Sequence, residues 1–264
     1  MIARGLLSIA AQIHPTSTIS SDAALGQGVT VGPYVVIHAN VSLGDGSYVD
    51  SHTVLGAPTA EYYADSQAYE PAPCRIGKGA VIRSHGIVYA GVTIGEDFEC
   101  GHHVTIREGT RIGDGVRVGT LSDVQPEVTI GNHARLHSNV FVAKGSTIED
   151  LTWLFPYVVL IDDPHPPSDT CTQGPTIRKF AVVGAQSTVY PAVEVGEGAV
   201  VGAMTLVRHD VPPDAVVVGI PGKVVGTTAD VVCHAGRLDR VYPWWRHFRR
   251  GYPDGVLPDP EAAD

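Results

Sequence analysis

Two adjacent histidines, His102 and His103, lie in the segment CGHHVTIREGT at residues 100–110. An imidazole with an ordinary pKa of about 6.5 accepts a proton at physiological pH, so either ring can serve as a general base. Histidines also bind metals, and Cys100 lies close by. The pair therefore admits three interpretations: metal ligation, proton transfer, or hydrogen bonding at a corner.

A six-residue period decides how these histidines are placed. An aliphatic residue recurs at every sixth position from Ile76 to Leu160, with Cys100 as the one exception, and the same pattern occupies residues 13–55 and 177–207. Such a hexad describes a short strand and a corner, and three hexads close a triangular coil of 18 residues. The period predicts an all-β parallel helix of about ten coils, stacked about 4.8 Å apart.

Positions 18 residues apart stack in successive coils, so the period separates the two histidines. His85 and His103 share one column, with Asn139 two coils further on. His102 lies in the adjacent column, one coil after Ser84. The two histidines therefore have different neighbours and are interpreted separately, with His85, His103 and Asn139 as candidate substrate contacts.

Composition and charge exclude several classes of function. A formal charge of −10 argues against binding to nucleic acid or to an anionic membrane. The four cysteines are far apart and form no CxxC pair, which favours reduced thiols over a zinc site or disulfides. The opening MIARGLLSIAAQI lacks a convincing cleavage site, so we expect a soluble cytoplasmic protein.

The period is interrupted twice and then ends. Residues 56–75 and 161–176 are rich in Pro, Asp and polar residues and are predicted as surface loops. The sequence thus predicts a solenoid over residues 1–210 and an extension over residues 211–264. The extension contains VYPWWRHFRRGYP, which we interpret as a cap, a subunit contact or a partly disordered tail.

The repeat, with its (L/I/V)-G-x-x-(small)-x pattern over residues 13–210, resembles the hexapeptide-repeat acyltransferases. VVVGIPGKVVG at residues 216–226 is similar to the segment that leaves the helix in this family, with Gly222 where alanine is commoner. The resemblance implies a left-handed parallel β-helix and a homotrimer. The first loop is similar to that of UDP-N-acetylglucosamine acyltransferases, and the second to that of amino-sugar N-acetyltransferases and small-molecule O-acetyltransferases.

The resemblance also implies roles for single residues. The hexad CGHHVT resembles (I/V)-(G/A)-H-(D/N)-(C/V)-(V/T), the catalytic hexad of family members that act on nucleotide-linked sugars, which makes His102 the implied base. His165, in DDPHPPSD, resembles the loop base of galactoside and maltose acetyltransferases and is the rival catalytic residue. Asp162 and Asp163 are implied to position a substrate ammonium or hydroxyl, and Glu108 is a further substrate-binding candidate.

The family binds coenzyme A in a groove along the C-terminal coils between subunits. By resemblance, Arg178, Lys179 and Lys223 are the cations for its phosphates, and the backbones around Ala185 and Ala203 are candidates to contact the pantetheine arm. The implied co-substrate is acetyl-CoA.

The resemblance therefore implies an acyl-CoA-dependent transferase. The two loops, the GH hexad and the exit segment together favour, as its acceptor, the amine of a nucleotide-linked amino sugar or a similar amino-glycoside. O-acetylation of a sugar or small-molecule hydroxyl is the alternative. γ-Class carbonic anhydrases share the fold, but their expected second histidine falls at Val142, and His133 and His137 lie in different columns, so no metal is expected. A non-catalytic trimeric scaffold is the last alternative.

Overall fold

Three parallel sheets form the three faces of a prism, and successive strands lie on successive faces. The computed structural model describes residues 11–168 and 170–260. Neighbouring strands in the regular coils pair in register at 18-residue spacing, as Ile82 does with Cys100. This confirms the all-β parallel helix and is consistent with the left-handed form. Face 1 has eleven parallel strands, so the solenoid has about eleven coils where the period predicts ten.

The strands are short and regularly spaced on each face. Face 1 contains β1 (Gln12–Ile13), β4 (Thr30–Val31), β7 (Tyr48–Val49), β10 (Val81–Ile82), β13 (Glu99–Cys100), β16 (Arg117–Val118), β19 (Arg135–Leu136), β22 (Trp153–Leu154), β25 (Val182–Val183), β28 (Val200–Val201), β30 (Ala215–Val218) and the antiparallel β31 (Lys223–Thr227). Face 2 contains β2 (Thr18–Ile19), β5 (Val36–Ile37), β8 (Val54–Ala57), β11 (Ile87–Tyr89), β14 (Thr105–Ile106), β17 (Asp123–Val124), β20 (Phe141–Val142), β23 (Val159–Leu160), β26 (Thr188–Val189) and β29 (Leu206–Val207). Face 3 contains β3 (Ala24–Leu25), β6 (Val41–Leu43), β9 (Cys74–Ile76), β12 (Thr93–Ile94), β15 (Arg111–Ile112), β18 (Thr129–Ile130), β21 (Thr147–Ile148), β24 (Thr176–Ile177) and β27 (Glu194–Val195).

The aliphatic ladder fills the interior of the prism. Ile82 and Ile106 are completely buried, and Ile130 is 1% exposed. Burying each such side chain contributes about 1.5–3 kcal/mol. Ile13 departs from the pattern at 47% exposure, because its coil ends the described solenoid and no described coil stacks beneath it.

The corners hold their outward residues in a left-handed backbone conformation. We call the corner after each face-1 strand the first edge, and the corners after faces 2 and 3 the second and third edges. On the first edge, His52, His85 and His103 have φ values of 59°, 63° and 55°. Hydrogen bonds between coils hold these corners, as when the backbone N–H of His103 donates to the carbonyl of Ser84 at 3.0 Å. Side chains 18 residues apart therefore form straight columns.

Both insertions leave from the second edge. The first contains helix α1 (Ala60–Ala64). This insertion is shorter at both ends than the predicted loop 56–75, because β8 extends to Ala57 and β9 begins at Cys74. Ala57 is retained in the sheet by pairing with Tyr89. In the second insertion, β24 begins at Thr176, the last residue of the predicted loop 161–176.

The chain after the solenoid turns back onto face 1. Two 3-10 helices follow β31, at Thr228–Asp230 and Trp244–Arg246. Residues 242–260, here called the C-terminal segment, pack Trp244 and Trp245 against Leu151 and Val182. The division at residue 210 stays a prediction, and the structure continues the parallel pairing of face 1 through β30.

Parts of three predicted regions lie outside the described residues: positions 1–10 of the solenoid, position 169 of the second loop and positions 261–264 of the extension. Across the described chain, no helix is both long enough and apolar enough to span a membrane.

Candidate active site

His102 lies exposed on the first edge, held from both neighbouring coils. Its Nδ1 is 2.8 Å from the hydroxyl of Ser84 one coil before, and its backbone N–H donates to the Thr120 hydroxyl one coil after, at 3.2 Å. Gly101 allows this close stacking, because a Cβ there would lie 2.4 Å from the backbone nitrogen of Thr120. In the tautomer that carries its proton on Nδ1, this nitrogen donates to the Ser84 hydroxyl and the Nε2 lone pair can accept a proton.

His85 and His103 belong to a stack of aromatic rings beside His102. The rings of Tyr34 and His52 are 5.0 Å apart, those of His52 and His85 4.9 Å, and those of His85 and His103 4.5 Å. Loss of hydration and the neighbouring imidazoles lower the pKa of His85. The stack therefore favours the neutral form of His85, and the stacked rings of His85 and His103 form a flat surface beside the candidate base.

The other predicted substrate contacts do not all meet His102. Asn139 lies on the first edge two coils beyond His103, in the same column, with φ 61°. Glu108 lies on the second edge, where its carboxylate pairs with Arg107 at 2.8 and 2.9 Å. The structure thus places Asn139 on the same edge as His102, and Glu108 on a different edge.

The rival base His165 lies in the second insertion, on the second edge. Its backbone N–H donates to Asp163 Oδ1 at 3.0 Å, and Ser168 N–H donates to Asp163 Oδ2 at 2.7 Å. Asp163 therefore shapes the loop, while the carbonyl of Asp162 accepts from the N–H of Gln173 at 2.8 Å. The insertion follows β23, three coils after β14, which separates its root from His102 by about 14 Å along the axis.

The predicted coenzyme A contacts divide between two edges. Ala185 and Ala203 lie on the first edge, in the same column as His102 and at its C-terminal end. Arg178 lies on the third edge, ion-paired with Glu149 at 2.7 Å and Glu194 at 2.5 Å, and these carboxylates raise its pKa.

The two remaining cations are less constrained. Lys179 lies next to Arg178 with its ammonium 5.0 Å from the centre of the Phe180 ring. Lys223 is exposed at the start of β31. Ala185 is thus half-buried and Ala203 exposed on the first edge, whereas Arg178 and Lys179 lie on the third edge.

Sequence reasoning missed a basic cleft beside His102. Arg83, Arg117 and Arg135 line a cavity of about 330 Å³ on face 1, together with Gly101 and Thr120. The available signal was the 18-residue spacing of Arg117 and Arg135, which places both on the outer surface of one face. The part played by the C-terminal segment had no such signal.

No cluster of three or more His, Cys, Asp or Glu side chains within residues 11–168 and 170–260 has the arrangement of a metal site. Cys100 is 2% exposed and belongs to the interior ladder, and burial raises the pKa of its thiol to about 12. His102 and Cys100 therefore point to opposite sides of the wall.

Comparison with known proteins identifies the repeat. The family described as bacterial transferase hexapeptide (six repeats) matches residues 22–57 and 109–144. Both matched segments lie within the six-residue repeat that forms the solenoid. Serine acetyltransferase from Buchnera aphidicola subsp. Acyrthosiphon pisum (strain APS) is 30% identical to it over 136 residues, which are 51% of this chain and 48% of that protein. The chain thus matches about half the length of that relative.

A longer match and a solved structure extend this comparison. The acyl-(acyl-carrier-protein)–UDP-N-acetylglucosamine O-acyltransferase of Rhizobium johnstonii (strain DSM 114642 / LMG 32736 / 3841) is 26% identical over 243 residues, covering 87% of this chain and 75% of that protein. The structure of Arabidopsis UDP-N-acetylglucosamine acyltransferase superposes with a TM-score of 0.67 at 19% identity, covering 81% of this chain and 74% of that chain. At this identity the superposition supports the fold alone.

Proposed function

We propose that this hexapeptide-repeat protein is an acyltransferase that moves an acyl group from a thioester, acetyl-CoA in the first instance, to the amine of a nucleotide-linked amino sugar. The observation that carries the proposal is the His102–Ser84 pair at 2.8 Å on the first edge, beside a basic cavity. The family match and the acyl-transfer names of the relatives support it.

The proposed step is a proton-assisted acyl transfer. His102 Nε2 accepts the proton of the acceptor amine as its nitrogen attacks the thioester carbonyl. The C–S bond then breaks, and the leaving thiolate takes the proton from the imidazolium, which restores neutral His102. Ser84 holds the tautomer with the proton on Nδ1. A positioned base of this kind contributes about 100- to 10,000-fold.

A hydroxyl acceptor is the second candidate, because the relative from Rhizobium johnstonii is named an O-acyltransferase of UDP-N-acetylglucosamine. The same name contains an acyl carrier protein, so thioesters of carrier protein and of coenzyme A both belong in the test. The base chemistry is identical for an alcohol, whose proton His102 would accept in the same way.

The assembly we propose is a homotrimer with the donor groove along the first edge. On that edge Tyr34, Leu121, Tyr157 and Met204 are exposed by 58%, 56%, 55% and 61%, in a column that they share with the stacked histidines and Asn139. Several large apolar side chains exposed on one edge are typical of a contact surface. A partner on this edge would complete the wall of the groove beside His102.

The test measures thiol release from both thioesters with amino-sugar nucleotides and with their hydroxyl counterparts. We expect His102→Ala to lower kcat/KM about 100-fold or more, and Ser84→Ala to lower it less, because the ring keeps its nitrogen but loses its orientation. His165→Ala is the matched histidine control and should leave the rate unchanged. Loss of turnover in His165→Ala with an active His102→Ala would assign the base to the loop, and silence with every amine and alcohol would reject acyl transfer.

A further inference from the structure

Two adjoining cavities lie along face 1, and the C-terminal segment forms one wall of the second. The first is the basic cavity of about 330 Å³, and the second has a volume of about 440 Å³. His137 and Trp153 line both, so the two form one continuous cleft. Their sizes fall in the range of small-molecule sites, roughly 300–1,000 Å³.

The first cavity has an excess of positive charge. Three guanidinium groups, those of Arg83, Arg117 and Arg135, surround the single carboxylate of Glu99. Arg83 is 2.6 Å and Arg117 3.2 Å from that carboxylate. In a chain with a formal charge of −10, this local excess favours an anionic ligand.

Arg135 is the most informative of the three, because it is only 7% exposed. Its guanidinium donates to the carbonyls of Gly115 and Gly251 and lies 4.5 Å from the centre of the Tyr252 ring. No carboxylate in the described ranges lies within ion-pair distance of it. A buried charge without a counter-charge is costly, and an anion in the cavity offsets that cost.

Acidic side chains face a different space. Glu96, Asp97 and Asp114 line a third cavity of about 390 Å³ on the other side of Arg117 and Arg135. Arg117 and Arg135 line both cavities, and the cavity that also contains Arg83, His137 and Trp153 has Glu99 as its single carboxylate.

The second cavity is almost wholly apolar. Its walls are the side chains of His137, Trp153, Phe155, Val182, Tyr242, Trp244, His247 and Phe248. The Trp153 ring meets those of Trp244 and Phe248 edge to face, with centres 5.9 and 5.4 Å apart. His247 Nε2 is already bonded to the carbonyl of Val241 at 2.7 Å. Such a surface suits hydrocarbon better than a sugar or the polar edge of a nucleobase.

We propose that the cleft between face 1 and the C-terminal segment binds an amphiphilic anion, a carboxylate or phosphate monoester with a hydrocarbon chain. The anionic group lies at Arg117 and Arg135, and the chain lies against Trp153, Trp244 and Phe248. This site is a binding site in its own right and does not depend on the proposed acyl transfer.

The tryptophans provide a direct readout, since the three in the chain are Trp153, Trp244 and Trp245, all at this junction. The full chain is titrated with decanoate, decyl phosphate, decanol, inorganic phosphate and uridine diphosphate while tryptophan emission is recorded. We expect saturable binding of decanoate or decyl phosphate, with decanol and inorganic phosphate at least about tenfold weaker. Whichever of decanoate and decyl phosphate binds more tightly shows whether the site prefers a carboxylate or a phosphate monoester.

Two variants separate the charge from the chain. Arg117→Gln should weaken the decyl anions about tenfold and leave decanol unchanged, whereas Arg111→Gln, an exposed arginine on face 3, should change neither. Phe248→Ala removes a side chain that is 38% exposed, so folding should survive while the decyl anions bind about tenfold more weakly.

Three results would overturn the proposal: no saturable binding of either decyl anion, equal affinity for decanol, or identical anion affinity in Arg117→Gln. Uridine diphosphate that binds tightly and displaces the decyl anions would make the cleft a nucleotide site instead. None of these results bears on whether His102 transfers acyl groups, because no turnover is measured.

Discussion

At the first edge, the column that a residue occupies decides its chemistry. His102 and His103 are neighbours in sequence, yet His102 bonds to Ser84 while His103 stacks on His85. The difference comes from backbone geometry, since only the second residue of each such corner has the left-handed conformation. One imidazole is thus oriented by a hydroxyl and its neighbour by a ring.

The ring stack makes stability depend on pH. The pKa of His85 is lowered by loss of hydration and then by His103, His52 and His102, while Asp50 opposes the shift. An unfolded histidine binds its proton near pH 6.5, roughly, and folded His85 binds it only at lower pH. Falling pH therefore favours the unfolded chain from about pH 6.5 down to that lowered pKa.

His85→Asn removes this titration and keeps a residue type that tolerates the left-handed corner. We expect the loss of melting temperature between about pH 8 and about pH 5.5 to be smaller in the variant than in the unchanged protein. His38, His133 and His137 also have pKa values lowered by burial, but they titrate in both proteins and cancel in the difference. An equal or larger loss in the variant would contradict the role of the stack.

Among the elements, the repeat was predictable and the C-terminal segment was not. The strand positions could be predicted because buried residues such as Ile82, Cys100 and Val118 recur at a fixed spacing of 18 residues. The segment has no period, so its aromatic residues leave a cap, a subunit contact and a partly disordered tail equally open. The candidate base could be placed by phase, whereas Arg135 gained its meaning only from the fold, through its contact with Gly251.

The C-terminal segment should be held to face 1 chiefly by its tryptophans. Trp245 is 7% exposed and packs on Phe180, 6.1 Å between ring centres. Trp245→Ala should cost about 3–5 kcal/mol of local packing, so we expect faster amide exchange across residues 242–260 while β13 and β16 stay protected. Val232→Ala, at a side chain that is 74% exposed, is the matched control. Unchanged exchange in Trp245→Ala would show that the segment is anchored elsewhere.

For the whole molecule, the three edges have separate tasks. The first edge carries His102 and the exposed apolar side chains, the second carries both insertions, and the third carries Arg178 in its ion pairs. Because the interior is filled by the ladder, a ligand has to be bound on a face or an edge, with a second wall supplied by an added element. The C-terminal segment supplies such a wall on face 1, and a partner subunit supplies it on the first edge in the proposed trimer.

This arrangement gives the last prediction, which concerns assembly. Leu121 and Tyr157 are two coils apart on the first edge, exposed by 56% and 55%. Changing both to Asp places charge in a surface that a partner would have to dehydrate, so we expect the mass measured by light scattering to fall from trimer to monomer. Tyr63→Asp, at a side chain that is 77% exposed on α1, is the control and should leave the mass unchanged. A double variant that stays trimeric would place the contact on another edge, and the groove beside His102 would then have to be completed within one chain.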